Sequence, residues 1–270
     1  MATIKAGDIN LEYHVEGEGP PLLMIMGFGG QASSWGRPVI DLLNGHFATI
    51  RVSNRGTGTS DRPDVPTTVR MMADDAANLL DAIEVERAHV FGVSMGGMIA
   101  QELVLNHPER VNGLVLGCTT TAMRRGPLPD PETGQMMTPV PGLTREQQIR
   151  KAWPAMCTPE FVENDTAFLE TMLESSLTNP TPLDTILKQS QAVMSFDSYD
   201  RATTIEAPTL VIHGDRDRMM PLPHGQTLAE RIPGAEFVLI PGQAHMFFWE
   251  KPEETARIVT KFLSRIPASV

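Results

Sequence analysis

The residues Gly92-Val93-Ser94-Met95-Gly96 place a serine between two glycines, and Gly97 follows directly. An apolar, strand-like run ends at Val93 and a helical pattern begins at Met95, so Ser94 falls on a sharp strand-to-helix turn. A serine held there in strained backbone geometry needs neighbours without side chains, which the glycines provide. This setting predicts that Ser94 is a nucleophile. The alternative is a glycine-rich turn that contains an incidental serine.

A serine hydroxyl attacks efficiently only when a base takes its proton, and His245 is the candidate base. It lies in a loop between the last predicted strand and the last predicted helix, where it is expected to reach the same sheet edge as Ser94. His213 ends a strand beside Gly214, and a packing role is favoured for it over a catalytic one. The remaining histidines have other expected roles: His224 exposed, and His14, His46, His89 and His107 structural.

A third group is needed to orient the imidazole and to stabilise its cationic form. The loop His213-Gly214-Asp215-Arg216-Asp217 offers two carboxylates, and both lie between Ser94 and His245 in the chain. Chain order alone therefore leaves Asp215 and Asp217 as alternatives. Either could instead pair with a neighbouring arginine or cap the helix that follows.

Acyl transfer also needs N–H donors for the negative charge that develops on the carbonyl oxygen. The amide of Met95, directly after the nucleophile, is one predicted donor. The run Met26-Gly27-Phe28-Gly29-Gly30 follows a buried strand and predicts a second donor at Phe28. This run lacks the glycine spacing of nucleotide-binding loops, so no nucleotide is expected. The sequence predicts no cofactor-binding residues and no metal ligands.

Short strand patterns and longer helical patterns alternate on both sides of a central block. Strands are predicted at 9–15, 22–26, 47–52, 89–93, 111–116, 209–213 and 236–240, and helices at 69–83, 95–106, 222–231 and 252–266. Such alternation is typical of a parallel sheet that is covered by helices on both faces. Residues 119–206 contain no convincing buried strand, and helices are predicted there near 144–156, 161–175 and 183–196. The pattern indicates a helical cap over the sheet edge where ligands bind.

These motifs, in this order, resemble the α/β-hydrolase fold family over nearly the whole chain. The resemblance implies a mostly parallel, eight-stranded sheet with a helical cap inserted after strand 6. It implies a core of residues 1–118 and 207–270, a cap of residues 119–206, and Asp217 as the acid with Asp215 second. It also implies that residues 55–60 brace the site. Within the family, the chain resembles small bacterial esterases, enol-lactonases, cofactor-free haloperoxidases and polyketide methylesterases.

Two positions depart from the usual family pattern. Met26 stands where the family usually has a histidine before the oxyanion residue, and this Met-Gly form resembles the polyketide methylesterase branch. Ser53 replaces the aspartate that usually opens the loop at 53–60. Neither change touches the predicted triad.

The composition is that of an ordinary globular protein, with 41% hydrophobic residues and a formal net charge of −11. The negative charge disfavours nucleic acid and anionic membrane surfaces as partners. Two cysteines, no signal-like start and no membrane-span-length apolar run predict a cytoplasmic protein. The expected partner is a small-molecule ester or lactone, and the oligomeric state is left open.

The predicted activity is hydrolysis of a small, largely apolar carboxylic ester or lactone through an acyl-enzyme. Residues expected to line the substrate pocket are Trp35, Met98, Met123 and Phe247, with Phe248 and several cap methionines as further candidates. Phe28 is the best apolar candidate, because it is expected beside the nucleophile. The same catalytic set supports carbon–carbon bond hydrolysis or cofactor-free perhydrolysis of the haloperoxidase type. A non-catalytic small-molecule receptor is the alternative of another class.

Overall fold

A computed structural model describes residues 2–267 and contains one eight-stranded sheet. The strand order is β1-β2-β4-β3-β5-β6-β7-β8. Strand β2 runs antiparallel to its neighbours β1 and β4, and every other pairing is parallel. The strands are β1 (Ala2–Ala6), β2 (Ile9–Glu16), β3 (Pro21–Ile25), β4 (Ala48–Val52), β5 (Ala88–Val93), β6 (Val111–Gly117), β7 (Thr209–Gly214) and β8 (Glu236–Ile240). The predicted α/β architecture is confirmed.

The central strands are buried on both faces because helices cover the sheet from both sides. All six residues of β5 are buried, as the continuous apolar run requires. One core cluster contains Leu23 and Val90 and packs under helix residues such as Leu103. The other cluster contains Phe91 and packs against helix residues such as Leu43. The two clusters hold the ends of β3, β5, β6 and β7 at fixed positions along one sheet edge.

Eleven α-helices are found in residues 2–267. Helix α2 begins where Thr68 Oγ1 accepts a hydrogen bond from the Met71 amide at 3.1 Å, so Thr68 is its N-terminal cap. The helices are α1 (Arg37–Asn44), α2 (Val69–Ala82), α3 (Met95–Asn106), α4 (Pro131–Met137), α5 (Arg145–Met156), α6 (Pro159–Asn164), α7 (Thr166–Thr178), α8 (Leu183–Ser195), α9 (Pro223–Arg231), α10 (Phe247–Glu250) and α11 (Pro252–Leu263).

Residues 119–206, hereafter the cap, connect β6 to β7 and contain α4 to α8 without any sheet strand. The predicted helices near 144–156 and 183–196 correspond to α5 and α8. The helix predicted at 161–175 is instead two helices, because Asp165 leaves helical geometry with φ −108° and ψ 37°. The sequence analysis missed α1, α4, α10 and β1, all of which are short.

Candidate active site

Ser94 occupies the turn between β5 and α3 and has a backbone conformation of φ 56° and ψ −123°. A non-glycine residue in such a region carries a cost of about 1–3 kcal/mol, which the surrounding contacts must offset. The Ser94 amide donates to the Gly117 carbonyl at 2.9 Å, and Thr119 Oγ1 donates to the Ser94 carbonyl at 2.7 Å. A side chain at Gly96 would collide with the Ile25 carbonyl oxygen, which explains the glycine there. The predicted strained turn is therefore present.

His245 and Asp217 are both buried and are joined by a hydrogen bond of 2.7 Å between Nδ1 and Oδ2. The other oxygen of Asp217, Oδ1, accepts the backbone amides of Met219 at 2.9 Å and Met220 at 2.7 Å. An ionised carboxylate only accepts hydrogen bonds, so His245 Nδ1 carries the proton that is shared with Asp217. The Nε2 atom of His245 is then left as an acceptor, which is the state that a general base needs.

The two candidate acids have different partners. Asp215 Oδ1 accepts the Gly242 amide at 2.7 Å and thereby holds the turn that precedes His245. Asp217 alone of the two contacts the imidazole of His245. The structure therefore places Asp217 beside the imidazole, while Asp215 makes a supporting contact in the loop.

Two further groups surround Asp217. His213 Nε2 donates to the Met220 carbonyl at 2.7 Å and lies 3.6 Å from Asp217 Oδ2. Burial lowers the pKa of His213, so its imidazole stays neutral behind the acid. The packing interpretation of His213 agrees with this placement.

Cys118 follows β6 with a left-handed φ of 41°, and the sequence analysis did not associate it with the site. Its Sγ, a carboxylate oxygen of Asp217 and a ring nitrogen of His245 all lie within 4.8 Å of one another. Burial, reinforced by the charge of Asp217, raises the pKa of the Cys118 thiol well above its usual range. A metal ion would bind the deprotonated thiolate, which the raised pKa of Cys118 disfavours. The three residues therefore fit a hydrogen-bonded pair of His245 and Asp217 beside a neutral Cys118 thiol better than a metal centre. The position of Cys118 at the carboxyl end of a parallel strand, where ligands bind in such sheets, is the sequence feature that could have indicated its place near the site.

The predicted oxyanion donors lie on the two sides of Ser94. Met95 is the first residue of α3, so its amide has no acceptor within the helix. A side chain at Gly27 would come within 2.9 Å of Ser94 Cβ, so the loop that carries Phe28 passes directly beside the nucleophile. Phe28 and Ser94 both line the same cavity.

Hydrogen bonds from the core hold one side of this loop. Asn54 Nδ2 donates to the Met26 carbonyl at 3.1 Å, and the Ala32 amide donates to Ser53 Oγ at 2.9 Å. Ser53, where the family usually has an aspartate, is thus part of the loop support. Arg55 forms a two-fold hydrogen-bonded ion pair with Asp75 of α2, with both contacts at 2.6 Å. The segment at 55–60 therefore braces the site through α2.

The cap holds the other side of the loop through Gly29. The Gly29 amide donates to Gln189 Oε1 at 2.8 Å, and Thr181 Oγ1 donates to the Gly29 carbonyl at 2.9 Å. Gln189 is fully buried, and its Nε2 has no hydrogen-bond partner among residues 2–267. Sequence reasoning missed Gln189 because a glutamine within a cap helix carries no catalytic pattern.

A cavity of about 460 Å³ lies between the core and the cap and contains both Ser94 and His245 in its wall. Its volume falls within the range of ligand pockets. Much of the wall is apolar, and its large side chains include Phe28, Phe248, Trp249, Trp153, Met156 and Met172.

The four leading candidates for the pocket wall, Trp35, Met98, Met123 and Phe247, do not line this cavity, so that prediction is wrong. The further candidate Phe248 and the cap methionines Met156 and Met172 do line it. Trp35 packs between Phe91 and Phe248, with ring centroids at 4.9 and 5.1 Å, and Phe247 packs under Gly117. Met98 and Met123 belong to the core cluster on the other face of the sheet. All four side chains are buried outside the cavity wall, which an apolar residue type does not reveal.

His224 is buried, whereas the sequence predicted an exposed side chain. Its Nδ1 lies 2.7 Å from Thr120 Oγ1, and its Nε2 donates to the Pro127 carbonyl at 2.9 Å. Burial lowers the pKa of His224. The residue therefore links the start of the cap to α9 as a neutral group.

Comparison with known proteins identifies the family. Residues 20–252 match the family model described as alpha/beta hydrolase fold. The chain belongs to the alpha/beta hydrolase fold family. With this membership and relatives that are hydrolases, the protein is assigned to the hydrolases.

Two relatives match this hydrolase over almost its whole length. One, from Azorhizobium caulinodans, is named "Putative carbamate hydrolase RutD" and is 31% identical over 98% of this chain and 99% of its own. Another, from Paraburkholderia xenovorans, is a 2-hydroxy-6-oxononadienedioate/2-hydroxy-6-oxononatrienedioate hydrolase, 32% identical over 96% of this chain and 92% of its own. The crystal structure of an enol-lactonase from Burkholderia xenovorans LB400 superposes with a TM-score of 0.85 at 24% identity, covering 97% of this chain and 100% of that one. That last likeness concerns the fold.

Within residues 2–267, no helix has the length and apolar character to cross a membrane.

Proposed function

We propose that this protein is a serine hydrolase that cleaves a carboxylic ester or lactone through an acyl-enzyme. One observation carries the proposal: His245 is hydrogen-bonded through Nδ1 to buried Asp217, and it shares a cavity with Ser94 on its strained turn. In this arrangement the imidazole has a fixed tautomer and a free Nε2. A binding protein would have no use for such an oriented base.

The proposed reaction uses the chain's own residues in two stages. Ser94 Oγ attacks the carbonyl carbon while His245 Nε2 takes its proton, and the carbonyl oxygen becomes an oxyanion between the amides of Phe28 and Met95. The oxyanion then collapses, and the protonated His245 delivers its proton to the departing alkoxide. Water then attacks the acyl carbon while His245 Nε2 takes its proton. The second oxyanion collapses, the bond between Ser94 Oγ and the acyl carbon breaks, and the protonated His245 returns the proton to Ser94 Oγ as the acid product leaves.

The cavity supports a largely apolar substrate. Phe28 and Phe248 lie in its wall with the reacting residues, and cap residues such as Trp153 and Met172 lie in it as well. No aspartate or glutamate in the part of the chain that the structure describes lines it. Cys118 and Cys157 are both free and buried, which supports the further proposal of a cytoplasmic location.

Carbon–carbon bond hydrolysis is the second candidate, and the Paraburkholderia relative named for an oxo-dienedioate favours it. Purified protein offered 2-hydroxy-6-oxononadienedioate and p-nitrophenyl butyrate in parallel distinguishes the two activities. The primary proposal expects the ester to have the higher kcat/KM. A preference for the dienedioate would assign the site to carbon–carbon cleavage instead.

The role of Ser94 is tested by Ser94→Ala against Ser195→Ala, which removes an exposed cap hydroxyl outside the cavity. We expect p-nitrophenyl ester turnover to fall by at least about 10³-fold in the first variant, because the nucleophile is lost. The second variant should retain wild-type turnover. Undiminished turnover in Ser94→Ala would end the proposal.

A further inference from the structure

Helix α5 presents one continuous face to the cavity. Its cavity-lining residues follow helical spacing along the whole helix: Arg145, Gln148, Ile149, Ala152, Trp153 and Met156. The first two are polar and the other four are apolar. The face therefore changes in character from its N-terminal end to its C-terminal end.

The C-terminal end of this face lies at the catalytic histidine. The Met246 amide, directly after His245, donates to the Met156 carbonyl at 3.0 Å. From Arg145 to Met156 a helix rises by about 16 Å. The face of α5 thus extends from the reacting centre to a point about 16 Å away.

Arg145 stands at the far end with an uncompensated charge. No hydrogen bond or ion pair joins its guanidinium to any of residues 2–267, and burial lowers its pKa although the residue as a whole is exposed. It is also the first residue of α5, where the helix dipole disfavours a cation. Within a chain of net charge −11, a lone cation in a wall without carboxylates favours an anionic ligand group.

We infer that α5 selects the substrate by acyl-chain length and terminal charge: the hydrolase prefers esters whose apolar acyl chain ends in a carboxylate that pairs with Arg145. This inference rests on the proposed function and names its substrate class. The scissile carbonyl lies at Ser94, the methylene chain packs along Ile149 and Trp153, and the terminal carboxylate reaches the guanidinium.

The spacing also predicts a chain length. An extended peptide advances about 3.6 Å per residue, and each residue contributes three backbone bonds, so an extended acyl chain advances about 1.2 Å per bond. The arginine side chain covers part of the interval, which leaves about 8–13 Å for the substrate. Acyl chains of about eight to twelve carbons span that distance. Shorter chains leave the carboxylate in the apolar section, where its desolvation is unfavourable.

Two matched series of substrates test the inference. Mono-p-nitrophenyl esters of α,ω-dicarboxylic acids with four to fourteen carbons are compared with p-nitrophenyl alkanoates of equal length. We expect the kcat/KM ratio of anionic to neutral ester to peak at eight to twelve carbons. Arg145→Gln should lower that peak ratio about ten-fold, whereas Arg145→Lys should retain part of it.

Arg124→Gln is the charge-matched control, since Arg124 is an exposed cap arginine outside the cavity wall. It removes the same charge and should leave the ratio as in wild type. An equal fall in both variants would overturn the inference, because only the overall field would then matter. A ratio without a maximum would overturn it too.

A binding measurement separates this inference from the proposed function. Calorimetry with monomethyl suberate and with methyl octanoate, on Ser94→Ala protein, needs no turnover, and only the first ligand carries a carboxylate. We expect the half-ester to bind at least about ten-fold tighter than the neutral ester, and Arg145→Gln to remove that difference. If neither p-nitrophenyl ester series is hydrolysed but the half-ester preference is found, the esterase proposal fails and the anion site stands. Ester hydrolysis without any preference for the half-ester would contradict only the anion site.

Discussion

Replacing Asp217 by asparagine changes the tautomer of His245 while keeping the shape of the site. In the native protein Oδ1 accepts two backbone amides, from Met219 and Met220, and Oδ2 accepts His245 Nδ1. An asparagine has one oxygen and one NH₂ group. Its oxygen is held by the two amides, so its NH₂ group faces Nδ1. His245 must then accept at Nδ1 and carry its proton on Nε2, where it cannot take the proton of Ser94.

The expected loss of kcat is large, because His245 in the wrong tautomer no longer acts as a base. A change of this kind in a serine triad lowers kcat by about 10⁴-fold, or about 5.5 kcal/mol of barrier. Steady-state hydrolysis of a p-nitrophenyl ester measures it, with circular dichroism to establish that the fold is intact.

Asp215→Asn is the matched control in the same loop. The amide oxygen of the new side chain still accepts the Gly242 amide, so kcat should change by less than about three-fold. The reasoning is refuted if Asp217→Asn retains more than a tenth of wild-type kcat. It is equally refuted if the Asp215 variant is the more damaged of the two.

Three further substitutions test other contacts. Gln189→Met removes the acceptor of the Gly29 amide, so kcat should fall about 10- to 100-fold while KM stays within about two-fold of wild type. Gln189→Glu keeps an acceptor oxygen and should retain much more of the wild-type kcat. A change confined to KM would contradict this explanation. Gly96→Ala forces a side chain into a backbone carbonyl and should lower the free energy of unfolding in urea by at least about 2 kcal/mol, so wild-type stability would refute the steric argument. Arg55→Met leaves the buried carboxylate of Asp75 without its ion-pair partner and should lower the free energy of unfolding by about 3–5 kcal/mol. Adding Asp75→Leu should recover part of that stability. A double variant no more stable than the single one would contradict this explanation.

The strand-to-helix turn at Ser94, the loop position of His245 and most of the sheet could be predicted because each leaves a local signal. Ser94 lies between glycines on a strand-to-helix turn, and the buried strands are apolar runs. The choice between Asp215 and Asp217 needed tertiary contacts, because both precede His245 by a similar interval and only the folded loop shows which one reaches it.

Side-chain direction accounts for the wrong predictions. Trp35 and Phe247 are apolar, and the same residue type packs equally well in a core or in a cavity wall. His224 follows a proline turn that looked exposed, yet its ring is enclosed by the start of the cap. The contacts of Gln189 and Arg145 depend on where α8 and α5 lie over the core, which no local pattern encodes.

The central claim is that Ser94 becomes acylated during turnover. The direct test is mass spectrometry of protein quenched with acid during the first turnovers of a p-nitrophenyl ester, with the modified peptide sequenced. The proposed mechanism predicts a mass increase of one acyl group on Ser94 in wild-type protein and none in Ser94→Ala. An acyl group found on Cys118, with Ser94 unmodified, would contradict the mechanism. Undiminished turnover by Ser94→Ala would contradict it as well.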